Sequence, residues 1–249
     1  MIRTVLALLY LVLFLILELP VFGITFLIGK KDPDKAHLID LHIVQWGFRC
    51  LEFISGVKLE VHGEENVPKD EAVMYVSNHR SFFDVILTYS RCPGLTGYIA
   101  KNNLEKVPLL PFYMKRVFCL MLDRNDIKQG LKTVLTAIDQ VKNGISIFVY
   151  PEGTRCKAAS STEMLPFKEG SFKIAEKSGC KIVPVAITGT ADVFENHFPW
   201  IKSRKVILSY GKPIETADMT REDKKMLGSM CAKQIKDMLT EHEKILSLN

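Results

Sequence analysis

The stretch Gly144-Ile145-Ser146-Ile147-Phe148-Val149-Tyr150-Pro151-Glu152-Gly153-Thr154-Arg155 decides the fold. Its first half is a nearly continuous run of apolar and β-branched residues entered through Asn143-Gly144, and its second half breaks at once into proline, glycine and charge. A strand that is apolar at consecutive positions, rather than at every second one, is covered on both faces. Such strands belong to mostly parallel sheets with helices above and below. In an open sheet of this kind ligands bind beyond the carboxyl ends of the strands, so the residues from Pro151 onward fall where a site would be.

Working outward, the same alternation repeats. Strand-like runs occupy 57–62, 72–77, 97–100, 118–122, 145–150, 182–187 and 206–210. Helical spacing marks 36–55, 82–91, a proline-punctuated stretch through Arg116, 126–142, 168–178 and a charged amphipathic segment at 219–246. The expected class is therefore α/β, with a mostly parallel central sheet flanked by helices. No internal repeat or low-complexity tract interrupts it.

With 249 residues, 47% hydrophobic and 24% charged, the chain is long enough for a real core and too balanced to be disordered. A net charge of +5 and a pI near 8.8 are too mild for a nucleic-acid partner, but they suit anionic lipid headgroups or phosphorylated substrates. The cysteines at 50, 92, 119, 156, 180 and 231 form no C-x-x-C pair, which argues against a structural zinc or a disulfide framework and for a reducing compartment.

Between Thr4 and Gly29 the only charge is Glu18. No small-x-small cleavage site follows the apolar run 5–17, so the segment reads as a retained anchor rather than a signal peptide. Lys30, Lys31 and Lys35 place the rest of the chain on the cytoplasmic face of the membrane. A single span is one reading. Glu18 and Pro20 favour the other, a monotopic pair in which 5–17 and 21–28 dip into one leaflet. The expected organisation is a membrane anchor at 1–30, an interfacial helix at 31–56 and a catalytic domain at 57–249.

The strand ends carry unusual residues: His79, Arg80 and Asp84 after 72–77, Lys101 after 97–100, Asp123-Arg124 after 118–122, and Glu152-Gly153-Thr154-Arg155 after 145–150. If Ser81 caps the helix at 82–91, Asp84 sits in its first turn, where its carboxylate can meet a loop-borne His79 and orient it for proton removal. Ser81-x-x-Asp84 is also an ordinary capping box. With six histidines and twelve aspartates in the chain, a His-x4-Asp pair arises by chance about 0.3 times, so the pair alone decides little. The Glu-Gly-Thr-Arg block is sharper. Glycine admits close backbone approach, and Arg155 offers a planar fork suited to phosphate oxygens.

Taken together, these blocks resemble the glycerolipid acyltransferase family that includes 1-acyl-glycerol-3-phosphate acyltransferases. The likeness rests on His79-x4-Asp84, on Lys101 with Leu104, Pro108 and Asp123-Arg124, on 150–155 with Phe167-Lys168-x-Gly170, and on 183–187. Asn103, Pro111, Val117 or Phe118, and Cys156 stand where the family commonly has Glu, Gly, Gly and Ser. The resemblance implies that His79, oriented by Asp84, deprotonates the free sn-2 hydroxyl of a lysophosphatidate for attack on an acyl thioester, giving phosphatidic acid. Acyl-CoA or acyl carrier protein would be the donor. Lys101, Arg124 and Arg155 would hold the acceptor phosphate, and the loop of Glu152, Gly153 and Thr154 would shape the site and lend a backbone N–H to the oxyanion. The implied partners are the lysolipid, the thioester and the bilayer, with no metal and no bound cofactor. Acylation of glycerol-3-phosphate or of another lysolipid is the alternative, and a membrane-anchored thioesterase or a non-catalytic lipid-binding protein the rival.

Overall fold

The computed structural model describes residues 1–248. The chain opens with helices α1 (Ile2–Leu17), α2 (Leu19–Gly29) and α3 (Pro33–Ser55). Then follow β1 (Lys58–His62), β2 (Met74–Ser77), α4 (Phe82–Tyr89), β3 (Thr96–Lys101), α5 (Leu110–Arg116) and β4 (Leu120–Leu122). The second half runs α6 (Ile127–Lys142), β5 (Ser146–Val149), α7 (Lys173–Ser178), β6 (Ile182–Thr188), α8 (Thr190–Val193), β7 (Lys205–Tyr210), α9 (Arg221–Lys224) and α10 (Leu227–Ser247).

The seven strands form one sheet in the order β1-β7-β6-β2-β5-β3-β4. From β6 to β4 every pairing is parallel, and β7 runs antiparallel to β6 with β1 parallel to β7. The expectation of a mostly parallel sheet flanked by helices holds. Every residue of β2, β5 and β6 is buried, as the continuous apolar runs required. One face packs under α3 and α4 through Leu41, Phe83 and Leu87 against Tyr75, Phe148 and Val185. The other packs under α6, α7 and α10 through Ile138, Ile174 and Ile235 against Met74, Ile147 and Ala186.

Helices α1 and α2 meet at Glu18, where the backbone stays helical and the Glu18 and Phe22 N–H groups bond the Phe14 and Glu18 carbonyls, and both pack along α3. Both ends are tied to the body. The Thr4 hydroxyl accepts the Ile201 N–H at 2.8 Å. At the other end Thr25 donates to Asp40 at 2.7 Å and accepts from Arg116, which itself pairs with Asp40. The inner face of helix α3 docks on α4. There Gln45 donates to the Tyr89 and Cys92 carbonyls at 3.3 and 2.7 Å, completing the C-terminal end of α4.

Phe118 has φ near 61°, in the left-handed region where a β-carbon costs roughly 1 kcal/mol. A glycine would meet that backbone demand without strain. The turn is fixed by its neighbour, since a β-carbon on Gly97 would lie 2.2 Å from the Phe118 carbonyl oxygen.

Candidate active site

The site residues leave the sheet at its carboxyl edge. His79 follows β2, in the middle of the parallel run, with β6 on one side and β5 on the other. Asn78 fixes the loop's departure: its side chain donates to the Ile187 carbonyl and accepts the Ile187 N–H, both at 2.9 Å. The next three residues turn around one buried carboxylate. Asp84 Oδ2 accepts from His79 Nδ1 at 2.8 Å, from the Arg80 N–H at 2.6 Å and from the Ser81 N–H at 2.8 Å. Ser81 Oγ in turn accepts the Phe83 N–H at 3.0 Å. The capping box and the histidine–carboxylate pair are thus the same structure, with Asp84 serving both.

Asp84 is fully buried, whereas the His79 side chain keeps 18% of its surface exposed. With Nδ1–H donated to the carboxylate, Nε2 carries the lone pair, and it has no partner among the described residues. The ring is held in plane by stacking on Tyr150, centroid to centroid 4.2 Å. An imidazole with a fixed tautomer, a buried counter-charge and one open nitrogen is built to take a proton.

The Glu-Gly-Thr-Arg loop wraps the same histidine. Glu152 Oε1 accepts the His79 N–H at 2.7 Å, Oε2 accepts the Leu165 N–H at 2.7 Å, and the Cys156 N–H bonds the His79 carbonyl at 2.8 Å. Burial pushes the Glu152 carboxyl above its usual range, and those two N–H bonds partly offset the shift. Both oxygens are therefore committed to backbone: Glu152 shapes the loop and does not reach outward. Gly153 turns it with φ near 72°, under the Lys168 side chain. Thr154 is exposed, and its backbone N–H bonds nothing among the described residues.

The cations divide into two groups. Lys101 ends β3 and Arg124 follows β4; Asn102 bonds Asp123 at 2.8 Å and ties these strand ends together. Neither cation has a side-chain partner among the described residues. Arg155 turns the other way, toward the end of β6. It stacks on the Phe82 ring at 4.2 Å and donates to Glu195 Oε1 at 2.8 Å. It borders a cavity of about 600 Å³ lined also by Arg80, Lys157 and Phe198. Arg80 holds one wall of it, donating to the carbonyls of Ala158, Ser160 and Glu163. Adjacent strands lie about 4.8 Å apart, so the ends of β3 and β4 stand roughly 10 and 14 Å from that of β2. Lys101 and Arg124 thus stand at the strand ends on one side of His79, while the contacts of Arg155 are with Phe82 and Glu195 on the other.

Sequence reading missed two residues of the loop after β6. Glu195 Oε1 accepts the Phe82 N–H at 2.9 Å in addition to Arg155. Thr190, buried, donates to Asp84 Oδ1 at 2.6 Å. No local spacing could have pointed to either, because their partners lie 113 and 106 residues away.

A family model described as Acyltransferase matches residues 58–188, more than half of the chain. The 1-acyl-sn-glycerol-3-phosphate acyltransferase of Saccharomyces cerevisiae is 30% identical over 206 residues, covering 80% of this chain and 67% of that protein. The chloroplastic 1-acyl-sn-glycerol-3-phosphate acyltransferase BAT2 of Brassica napus is 34% identical over 137 residues, covering 55% of this chain and 39% of the plant protein. The chain thus spans about two fifths of the plant protein's length. The crystal structure of the 1-acyl-sn-glycerophosphate acyltransferase of Thermotoga maritima superimposes with a TM-score of 0.76 at 25% identity, over 97% of this chain and 98% of that one. The fold is accordingly that of the Thermotoga maritima enzyme, and this chain belongs to the acyltransferase family.

Proposed function

We propose that this protein acylates the sn-2 hydroxyl of 1-acyl-glycerol-3-phosphate, giving phosphatidic acid for phospholipid synthesis, with acyl-CoA or acyl carrier protein as donor. The relatives' names support the acceptor. The observation that carries the chemistry is the His79–Asp84 pair with Nε2 open at the sheet edge.

In this reading Nε2 takes the proton of the acceptor hydroxyl as its oxygen bonds to the thioester carbonyl carbon. The Thr154 N–H faces the resulting oxyanion. Collapse breaks the C–S bond, and the leaving thiolate takes the proton back from the imidazolium, so no acyl-enzyme forms and His79 ends neutral. Asp84 stabilises the imidazolium without taking its proton. The acceptor phosphate meets Arg155 on one flank or Lys101 and Arg124 on the other. Residues 57–249 form the catalytic unit in this reading, and no bound cofactor takes part.

The anchor is read as monotopic. Val5, Leu9, Val12, Ile16, Phe26 and Leu27 are more than half exposed on α1 and α2, an apolar surface larger than water-facing proteins tolerate. Because both ends of this helix pair are tied to the body, the pair lies in the interfacial plane of one leaflet, and the bilayer delivers the lysolipid to the site. The lysines after it face the cytoplasmic side.

The test is acceptor-dependent release of thiol from an acyl thioester by the purified protein in vesicles. Release that needs lysophosphatidate and disappears in His79→Ala supports the reading. Equal release without acceptor makes the protein a thioesterase, and preference for glycerol-3-phosphate reassigns the acceptor.

A further inference from the structure

Asp84 presents two oxygens, and they do different work. Oδ2 gathers the histidine and two backbone N–H groups of its own loop. Oδ1 faces inward, away from those donors, and its partner is the hydroxyl of Thr190 at 2.6 Å. Neither residue exposes any surface, so water cannot replace that bond. Thr190 lies just past the residues that the family model covers, 58–188.

We propose that Thr190 is a positioning residue for the acyl transfer, acting through Asp84 on His79, so that the working unit is Thr190–Asp84–His79. The proposal rests on His79 being the base. The hydroxyl does two things at once. It fixes the plane of the carboxylate, so that Oδ2 points at Nδ1. It also draws part of the carboxylate charge away from the histidine, which keeps Asp84 from holding the imidazolium proton too tightly.

The placement of Thr190 is built into the backbone. Gly189, with φ near 94°, ends β6 in a left-handed turn that brings the next residue back beneath α4. A β-carbon there would lie 2.5 Å from the Lys205 carbonyl oxygen, so neither the φ nor the space admits another residue without a shift. Thr188, before the turn, is engaged on the far side by His242 at 2.9 Å, which anchors the strand end that carries Thr190.

Thr190→Val keeps the side-chain shape and removes the donor; Thr190→Ser keeps the donor. The expected result for Thr190→Val is a fall in kcat of about 10- to 100-fold with little change in KM for either substrate, the scale of a misdirected catalytic group. The acid limb of the kcat/KM profile should move to higher pH, because an undershared carboxylate holds the proton on its histidine more firmly. Thr190→Ser should restore both the rate and the limb. Thr190→Ala serves where the valine variant does not fold, with thermal unfolding measured beside each. Wild-type kcat and an unmoved acid limb in a folded Thr190→Val or Thr190→Ala, with His79→Ala inactive, would overturn the inference and leave the base assignment standing. Full activity in His79→Ala would remove both.

Discussion

His79 Nδ1 lies 2.8 Å from Asp84 Oδ2, and that single oxygen also receives the N–H groups of Arg80 and Ser81. The carboxylate therefore cannot move toward or away from the histidine without unmaking the turn between them. Asp84→Asn retains one acceptor oxygen but introduces an amide that competes for it, and the ring loses its fixed tautomer. The expected fall in kcat is about 10³- to 10⁴-fold, as for other buried carboxylates behind a catalytic histidine. His79→Ala should fall at least as far with its unfolding temperature nearly unchanged, since the ring packs on Tyr150 at a partly open edge. Acceptor-dependent thiol release beside a thermal melt separates the two effects.

Glu195 is the carboxylate partner of Arg155. Its Oε1 sits 2.8 Å from the guanidinium, and Oε2 is buried without a hydrogen-bond partner among the described residues. Glu195→Gln keeps an acceptor for the Phe82 N–H while removing the competing charge. If the acceptor phosphate lands on Arg155, its KM should fall about three- to fivefold, the worth of a partly exposed ion pair. Arg155→Ala should raise it. An unchanged KM in both variants would place the phosphate with Lys101 and Arg124 on the other flank.

How far the sequence could be read follows from how local each interaction is. The run at 145–149 announced a strand covered on both faces, and β5 is buried at every position. Ser81 and Asp84 are three residues apart, so the cap and the histidine partner were both legible. Arg155 was legible as a cation just past a strand end, but its turn toward Glu195 was not, because that depends on a loop after β6. Thr190 was silent for the same reason: an isolated threonine after a strand has no pattern, and only parallel pairing of β2 with β6 brings it beneath Asp84. Phe118 shows the converse. The sequence marked Val117 or Phe118 as the place where the resembled family commonly has glycine, and the left-handed backbone falls on Phe118.

The exposed flank of α1 gives a membrane prediction independent of the chemistry. Leu9 and Val12 are each 54% exposed and lie one turn apart. Leu9→Glu with Val12→Glu puts two charges where the lipid reading places acyl chains, while Thr4 and Thr25 still hold the helix pair to the body. Each charge opposes insertion by about 2 kcal/mol or more. Sedimentation with anionic vesicles should fall at least tenfold, and turnover of a short-chain, water-soluble acceptor should stay near wild type. Unaltered vesicle binding would refute the in-plane anchor.

His242 makes the stability of the whole fold depend on pH in a defined window. It sits on α10 with 1% of its surface exposed, Nδ1 at 2.9 Å from the Thr188 hydroxyl and Nε2 at 2.6 Å from that of Ser209. Burial, with a smaller contribution from the His62 ring and against a small opposing one from Glu60, pushes it down to about 4. In the unfolded chain a histidine titrates near 6.5. Above that pH both states hold a neutral imidazole and the fold has its full stability. As pH falls from about 6.5 to about 4, the unfolded chain takes up a proton that the folded one refuses, and stability declines. The total loss is about 3 kcal/mol at 1.36 kcal/mol per pH unit. Below about 4 both states are protonated and this contribution levels off. Carboxylates titrate in the same range, so the informative quantity is the difference between wild type and His242→Gln, which keeps a donor and an acceptor but does not titrate. Chemical denaturation in detergent at half-unit steps should give curves that converge by about 3 kcal/mol between pH 7 and pH 4. Parallel curves would mean that His242 carries its proton in the folded protein and that the two hydroxyls solvate an imidazolium.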